Sequence, residues 1–205
     1  ELHLAYQPVV DETVPRVAAA EALLRWRSPE LGDVPPSEFV PLAEETGLMV
    51  AIGSWVLRRA CQQLRAWLDL GLEPERLSVN VSLCQLVRGD LADVVHQTLA
   101  DTGVDARLLE LELSERGVLR ADPEILKQLQ AIRACGVQLA IDDFGTGNSA
   151  VVYLRQFPID VLKLDQSLVR GVTGSAEDAA IAGALIAMGR SLGLRVVAEG
   201  VEQTE

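Results

Sequence analysis

From Leu77 onward, short aliphatic runs alternate with helical patterns, and this rhythm restricts the chain to folds built on a parallel sheet with helical crossovers. The strand-like runs are Leu77–Ser82, Leu108–Leu113, Val137–Ile141, Val161–Asp165 and Leu194–Glu199. Helical spacing fills the gaps over Cys84–Ala100, Pro123–Cys135 (with Pro at its first turn), Ser149–Gln156 and Ser175–Leu192. Two further strands, Leu4–Val10 and Val17–Trp26, come first. Helices over Ser37–Glu45 and Val50–Leu70 follow them, the second with an apolar stripe of Trp55, Leu57, Ala60 and Leu64. Seven strands in this order are one short of an eight-stranded α/β barrel. A doubly wound open sheet is the alternative. That fold usually carries a glycine-rich phosphate turn after its first strand, and none is present here. The fragment Gly145-Thr146-Gly147 is too short and misplaced to serve as one.

Composition narrows the function classes. The 205 residues, 49% hydrophobic and 23% charged, suffice for a single domain with a real core and do not read as disordered. The longest nearly apolar run, Ala179–Met188, is far short of the roughly 20 residues that a spanning helix needs. A net charge of -12 argues against a nucleic-acid polymer as partner, because lysine and arginine must neutralise many phosphates there. A small phosphorylated ligand stays open, since bound divalent cations reverse the local field. Cys61, Cys84 and Cys135 are scattered, as expected of reduced thiols in a cytoplasmic protein. With only His3 and His96, a histidine-rich metal cluster or a Ser-His-Asp triad is not expected. The chain opens at Glu1 without an initiator Met or signal-peptide pattern, so it is expected to be a piece of a longer protein.

The polar residues of the strands fall in a pattern. Glu21, Asn80, Glu112, the pair Asp142-Asp143, Lys163 and Glu199 sit on six different strands, each in or near the C-terminal half amid aliphatic neighbours. Any one of them alone reads as a surface-pointing strand residue, and Asp142-Asp143 alone as a solvated turn. Six strands together are better explained by one shared site, because barrel strand ends converge on one mouth. Adjacent carboxylates resist desolvation and repel one another, so a cation should compensate them. Carboxylates and an amide oxygen, without histidine or cysteine, suit hard ions such as Mg²⁺ or Mn²⁺. The surplus of carboxylates over what one ion needs favours two ions. Such pairs lie about 3.5–4 Å apart and stabilise both the attacking and the leaving oxygen of a phosphoryl displacement. Lys163 reads either as a fixed positive charge that positions a water or as a salt-bridge partner of these acids.

Glu21-Ala22-Leu23-Leu24-Arg25-Trp26 resembles the signature of EAL-domain cyclic-di-GMP phosphodiesterases. The resemblance extends through Tyr6-Gln7-Pro8, Phe39–Gly47, Asn80-Val81-Ser82, Glu112-Leu113-Ser114-Glu115, Asp142–Gly147, Phe157–Asp165 and Ala198–Glu202, essentially the whole chain. It implies a modified TIM-like (β/α)8 barrel with an antiparallel first strand, of which the C-terminal strand and helix are absent from this chain. It also implies hydrolysis of one phosphodiester of cyclic di-GMP to linear pGpG with Mg²⁺ or Mn²⁺. By the same resemblance, Glu21, Asn80, Glu112 and Asp142 hold one ion, while Asp142 and Asp143 hold the second. Lys163 and Glu199 handle the attacking water, and Glu115 braces the loop from Asp142 to Gly147. Gln7, Leu23 and Arg25 line the nucleotide site, Arg25 facing a phosphate oxygen.

Asn148 and Ala150 depart from the Tyr and Ser usual in the family, in the loop tied to the second ion and to a homodimer contact. The alternative expectation is therefore a catalytically weak or inactive domain that acts as a cyclic-di-GMP receptor. A purely structural interaction domain has no use for so costly a carboxylate cluster. Sensory or GGDEF domains are the expected neighbours in a parent signalling protein.

Overall fold

The computed structural model describes residues 1–11, 16–88, 90–115, 123–145, 154 and 156–201, with the Asp11 side chain left aside. Strands β1 (Leu2–Asp11) and β2 (Arg16–Ser28) form an antiparallel ribbon in which Gln7 stands opposite Glu21. Every later member of the main path is parallel to β2. These are β4 (Arg76–Val81), β5 (Leu109–Ser114), β6 (Gln138–Phe144), β7 (Val161–Leu164) and β8 (Arg195–Ala198), in the order β1-β2-β4-β5-β6-β7-β8.

The sheet is curled. Four strand spacings separate β2 from β7, about 19 Å in a flat sheet, yet Lys163 Nζ on β7 lies 3.5 Å from Glu21 Oε2 on β2. Only a sheet bent into a barrel wall brings those side chains together, which excludes the doubly wound alternative. Its two ends, β1 and β8, are not paired with each other among the described residues.

Alternation along the strands divides two environments. Outward-facing Leu77, Val79, Leu109, Leu111, Leu113, Leu139, Ile141 and Leu162 are buried against the helical layer. That layer comprises α1 (Pro36–Glu45), α2 (Leu48–Asp69), α3 (Leu83–Val87), α4 (Leu91–Thr102), α5 (Pro123–Ala134), α6 (Gln166–Gly171) and α7 (Ala176–Ser191). Val56, Leu57, Ala60, Cys61 and Leu64 of α2 and Leu129 and Ile132 of α5 belong to the same core. Each such aliphatic side chain contributes about 1.5–3 kcal/mol relative to exposure. The inward positions are instead polar over much of their height, which leaves the barrel interior for chemistry.

One local expectation needs correction, and two short elements were not expected. The helix expected over Cys84–Ala100 is two helices, α3 and α4, with the helix-disfavouring Gly89-Asp90 pair between them. Ser82 and Gln85 close a capping box that starts α3. A short strand β3 (Gly32–Val34) pairs with the end of β2, across a turn in which Ser28 Oγ accepts from the amides of Glu30 and Leu31. Helix α6 follows β7 because the Asp165 carboxylate caps it, accepting from the Ser167 amide at 2.8 Å. The helix expected over Ser149–Gln156 falls largely outside the described residues, as do Asn148 and Ala150. No described helix is long and apolar enough to cross a membrane.

Candidate active site

Glu21, Asn80, Glu112, Asp142, Lys163 and Glu199 meet at the C-terminal end of the curled sheet. Lys163 is the hub. Its Nζ lies 2.7 Å from Glu199 Oε1, 2.8 Å from Glu112 Oε1, 3.4 Å from Asp142 Oδ1 and 3.5 Å from Glu21 Oε2. Asn80, in register with Glu112 on the neighbouring strand, donates to Glu21 Oε1 at 2.8 Å. Lys163 is 5% exposed and Glu112 1%, so these charges interact with little solvent between them. The expectation of Lys163 as a salt-bridge partner of these acids holds.

Asp143 joins the group through its backbone. In a regular strand, Asp142 and Asp143 point to opposite faces. Asp143 instead adopts φ 55°, the left-handed region that aspartate tolerates better than most residues, and the β6–β7 register shifts between Ile141 and Phe144. The twist brings one oxygen each of Asp142, Asp143 and Glu199 within 4.8 Å of one another. Glu115, buried just beyond β5, accepts from the Gly145 amide at 3.2 Å through Oε2 and ties down the turn that follows.

The electrostatics show what the site lacks. Burial raises the Glu112 carboxyl to about 8; Lys163 opposes the rise, while Glu21 and Asp142 add to it. Asp143 and Glu199 are also raised, chiefly by burial. Burial alone would lower the Lys163 ammonium, but Glu112, Asp142, Glu21 and Glu199 outweigh it and keep the group charged. Among the described residues, one ammonium therefore faces five carboxylates. Glu112 Oε2 is buried and accepts no hydrogen bond from the described residues. This oxygen donor set, short of positive charge and with an orphaned carboxylate oxygen, fits hard divalent cations.

The residues expected to line a ligand lie beside this cluster on the same face. Leu23 and Arg25 follow Glu21 at the two-residue period and are half-buried, and exposed Gln7 faces Glu21 across the β1–β2 ribbon. Arg25 donates through Nη1 to the Leu24 carbonyl at 2.9 Å. Sequence reasoning gave no role to Asp165. Its carboxylate adds, after burial and Asp142, to the rise of the Asp143 carboxyl. An acid two residues after Lys163, on the same strand face, was the available signal.

Comparison with known proteins agrees with this architecture. The EAL domain model matches residues 1–205. The chain is 42% identical over 202 residues to the bifunctional diguanylate cyclase/cyclic di-GMP phosphodiesterase MucR of Pseudomonas aeruginosa, covering 98% of this chain and 30% of MucR. It is 43% identical over 202 residues to the cyclic di-GMP phosphodiesterase NbdA of the same organism, covering 98% of this chain and 26% of NbdA. It thus spans less than a third of either relative. The MucR phosphodiesterase solved in complex with c-di-GMP superposes with a TM-score of 0.92 at 42% identity, over 99% of this chain and 82% of that one. The FimX EAL domain from P. aeruginosa bound to c-di-GMP superposes with a TM-score of 0.86 at 25% identity, over 99% and 81%. A family match along its whole length, on a barrel wall whose acids gather at one mouth, makes this chain a member of the EAL-domain family.

Proposed function

We propose that this chain is a cyclic-di-GMP phosphodiesterase domain that hydrolyses one phosphodiester bond and releases linear pGpG, using two Mg²⁺ or Mn²⁺ ions. The observation that carries the reading is the gathering, at one barrel mouth, of five carboxylates, Asn80 and Lys163 from six places along the sheet, Asp142 and Asp143 being neighbours on β6. Glu21, Asn80, Glu112 and Asp142 would hold one ion; Asp142 and Asp143, with Glu199 in reach, would hold the other. When bound, such ions supply an acidified water and neutralise charge developing on the phosphate.

The chain's own residues do the rest. Lys163 donates to the attacking oxygen and holds it in place, and Glu199, paired to Lys163 at 2.7 Å, accepts the proton that this oxygen loses. The water oxygen bonds to phosphorus as the bond to the 3′ oxygen breaks; that oxygen takes a proton from solvent as the 3′-hydroxyl of pGpG, and Glu199 returns to solvent the proton it accepted. Glu115 braces the turn that carries Asp143. Arg25 pairs with a phosphate oxygen, while Gln7 and Leu23 contact the nucleotide.

As a cytoplasmic output domain, the chain would be joined to sensory or GGDEF domains and could pair with a second copy. MucR and NbdA, each more than three times its length, are consistent with such neighbours. The second reading is a receptor that holds cyclic di-GMP without turnover. Asn148 and Ala150 in the loop after Gly147 favour it. Incubation of cyclic di-GMP with Mn²⁺ and either the parent chain or Glu21→Ala separates the readings. The enzyme reading requires pGpG from the parent and little from the variant. Calorimetric binding without pGpG identifies the receptor.

A further inference from the structure

Beneath the acidic mouth lies a second polar layer that the proposed chemistry does not use. Ser78 Oγ on β4 donates to Glu110 Oε1 on β5 at 2.8 Å. The other Glu110 oxygen accepts from Arg195 Nη2 on β8, and the same nitrogen donates to Gln138 Oε1 on β6 at 3.2 Å. Glu110 and Ser78 are buried. Three strand spacings separate β5 from β8, about 14 Å in a flat sheet, so the Arg195–Glu110 pair is a chord across the barrel interior.

The two layers are in phase. Ser78 stands two residues before Asn80, and Glu110 two before Glu112. Gln138 stands four before Asp142, and Arg195 four before Glu199. The first three pairs therefore each share the inward face of one strand, and Glu199 keeps the phase of Arg195 one residue past the end of β8. The chord matters most for β8. Backbone hydrogen bonds with Asp160 and Leu164 hold that strand along β7. Arg195 adds the tie from β8 across to β5, and Glu199 follows one residue past the end of β8, its amide still bonded to the Leu164 carbonyl.

We propose that Arg195, clamped by Glu110 and Gln138, is a positioning residue that sets the distance of Glu199 from Asp142 and Asp143, and thereby the affinity of the mouth for divalent cations. The inference rests on the reading of that mouth as a cation site. Arg195 touches neither ion nor substrate; it acts through the strand that leads into Glu199.

Mn²⁺ titration calorimetry on the whole chain, with thermal melts and pGpG assays, tests this. Arg195→Met raises the Mn²⁺ Kd about tenfold or more, the scale of residues that orient ligands, while kcat at saturating Mn²⁺ stays within about twofold. Arg195→Lys recovers part of the affinity. The double variant Arg195→Met/Glu110→Gln removes the stranded charge and regains melting temperature without regaining affinity, and the milder Ser78→Ala raises Kd by a smaller factor. A parent-like Mn²⁺ Kd in Arg195→Met, or affinity returning with stability in the double variant, reduces the layer to a structural element and overturns the proposal. A parent chain that binds Mn²⁺ in this Arg195-dependent way but forms no pGpG supports the positioning role and refutes hydrolysis. A parent chain that binds no Mn²⁺ overturns both.

Discussion

Lys163→Met should make the metal-free domain markedly less stable and more dependent on divalent cations. Lys163 is 5% exposed and pairs with Glu21, Glu112, Asp142 and Glu199. Methionine matches its length and removes its charge, leaving those carboxylates with no compensating cation among the described residues. Breaking a buried pair by deleting one partner costs about 3–5 kcal/mol, mainly because the remaining charge is stranded. For a chain of this size each kcal/mol moves Tm by about 2–4 °C, so the drop should be about 6–20 °C. Thermal and urea unfolding in EDTA measure it. Mn²⁺ at about 100 times its Kd adds roughly 2.7 kcal/mol to whichever form binds it. The variant, free of the competing ammonium, should regain much of its loss, although it should release little pGpG. A melting temperature in EDTA within about 2 °C of the parent would refute the view that Lys163 holds the acids together.

Three further expectations probe other parts of the structure. Ile141→Ala, in the core between sheet and helices, should cost about 2–5 kcal/mol by urea unfolding with an unchanged m-value. Gly145 has φ 102°, and a Cβ there would run into Leu168 Cδ1; Gly145→Ala should therefore cost about 1–3 kcal/mol and weaken Mn²⁺ binding by displacing the backbone held by Glu115. Burial pushes the Cys61 thiol up to about 12, so at pH 8 it stays protonated and should resist iodoacetamide while exposed Cys135 reacts; mass spectrometry of the labelled native chain reads the difference, and labelling of Cys61 should grow only as pH rises toward 12.

Much of this was legible in the chain because the signals were local. The aliphatic runs ending at Asn80, Glu112, Asp142 and Lys163 are strands, and the two-residue period put those side chains on the inner wall. The split of α3 from α4 was less legible, since apolar spacing runs past Arg88 and the capping box at Ser82–Gln85 competes only weakly with it. Strand β3 is three residues long and carries no periodicity to read. Asp143 was expected beside Asp142 on chemical grounds, but strand alternation alone would have turned it away. Its left-handed backbone is what brings it in. The Arg195–Glu110 chord spans 85 residues of sequence, and no local pattern reports such a partner. Only the phase of Glu110 with Glu112, and of Arg195 with Glu199, hinted at a second layer.

The central claim is that acids from distant strands are held together as a cation site, with Asp142 common to both ions. Mn²⁺ titration calorimetry of Asp142→Asn, which keeps the shape and removes the charge, tests it most directly. The account predicts two bound Mn²⁺ for the parent chain and, for the variant, affinity at both sites weakened by more than about tenfold, a loss above about 1.4 kcal/mol each. Parent-like stoichiometry and affinity in the variant would contradict it.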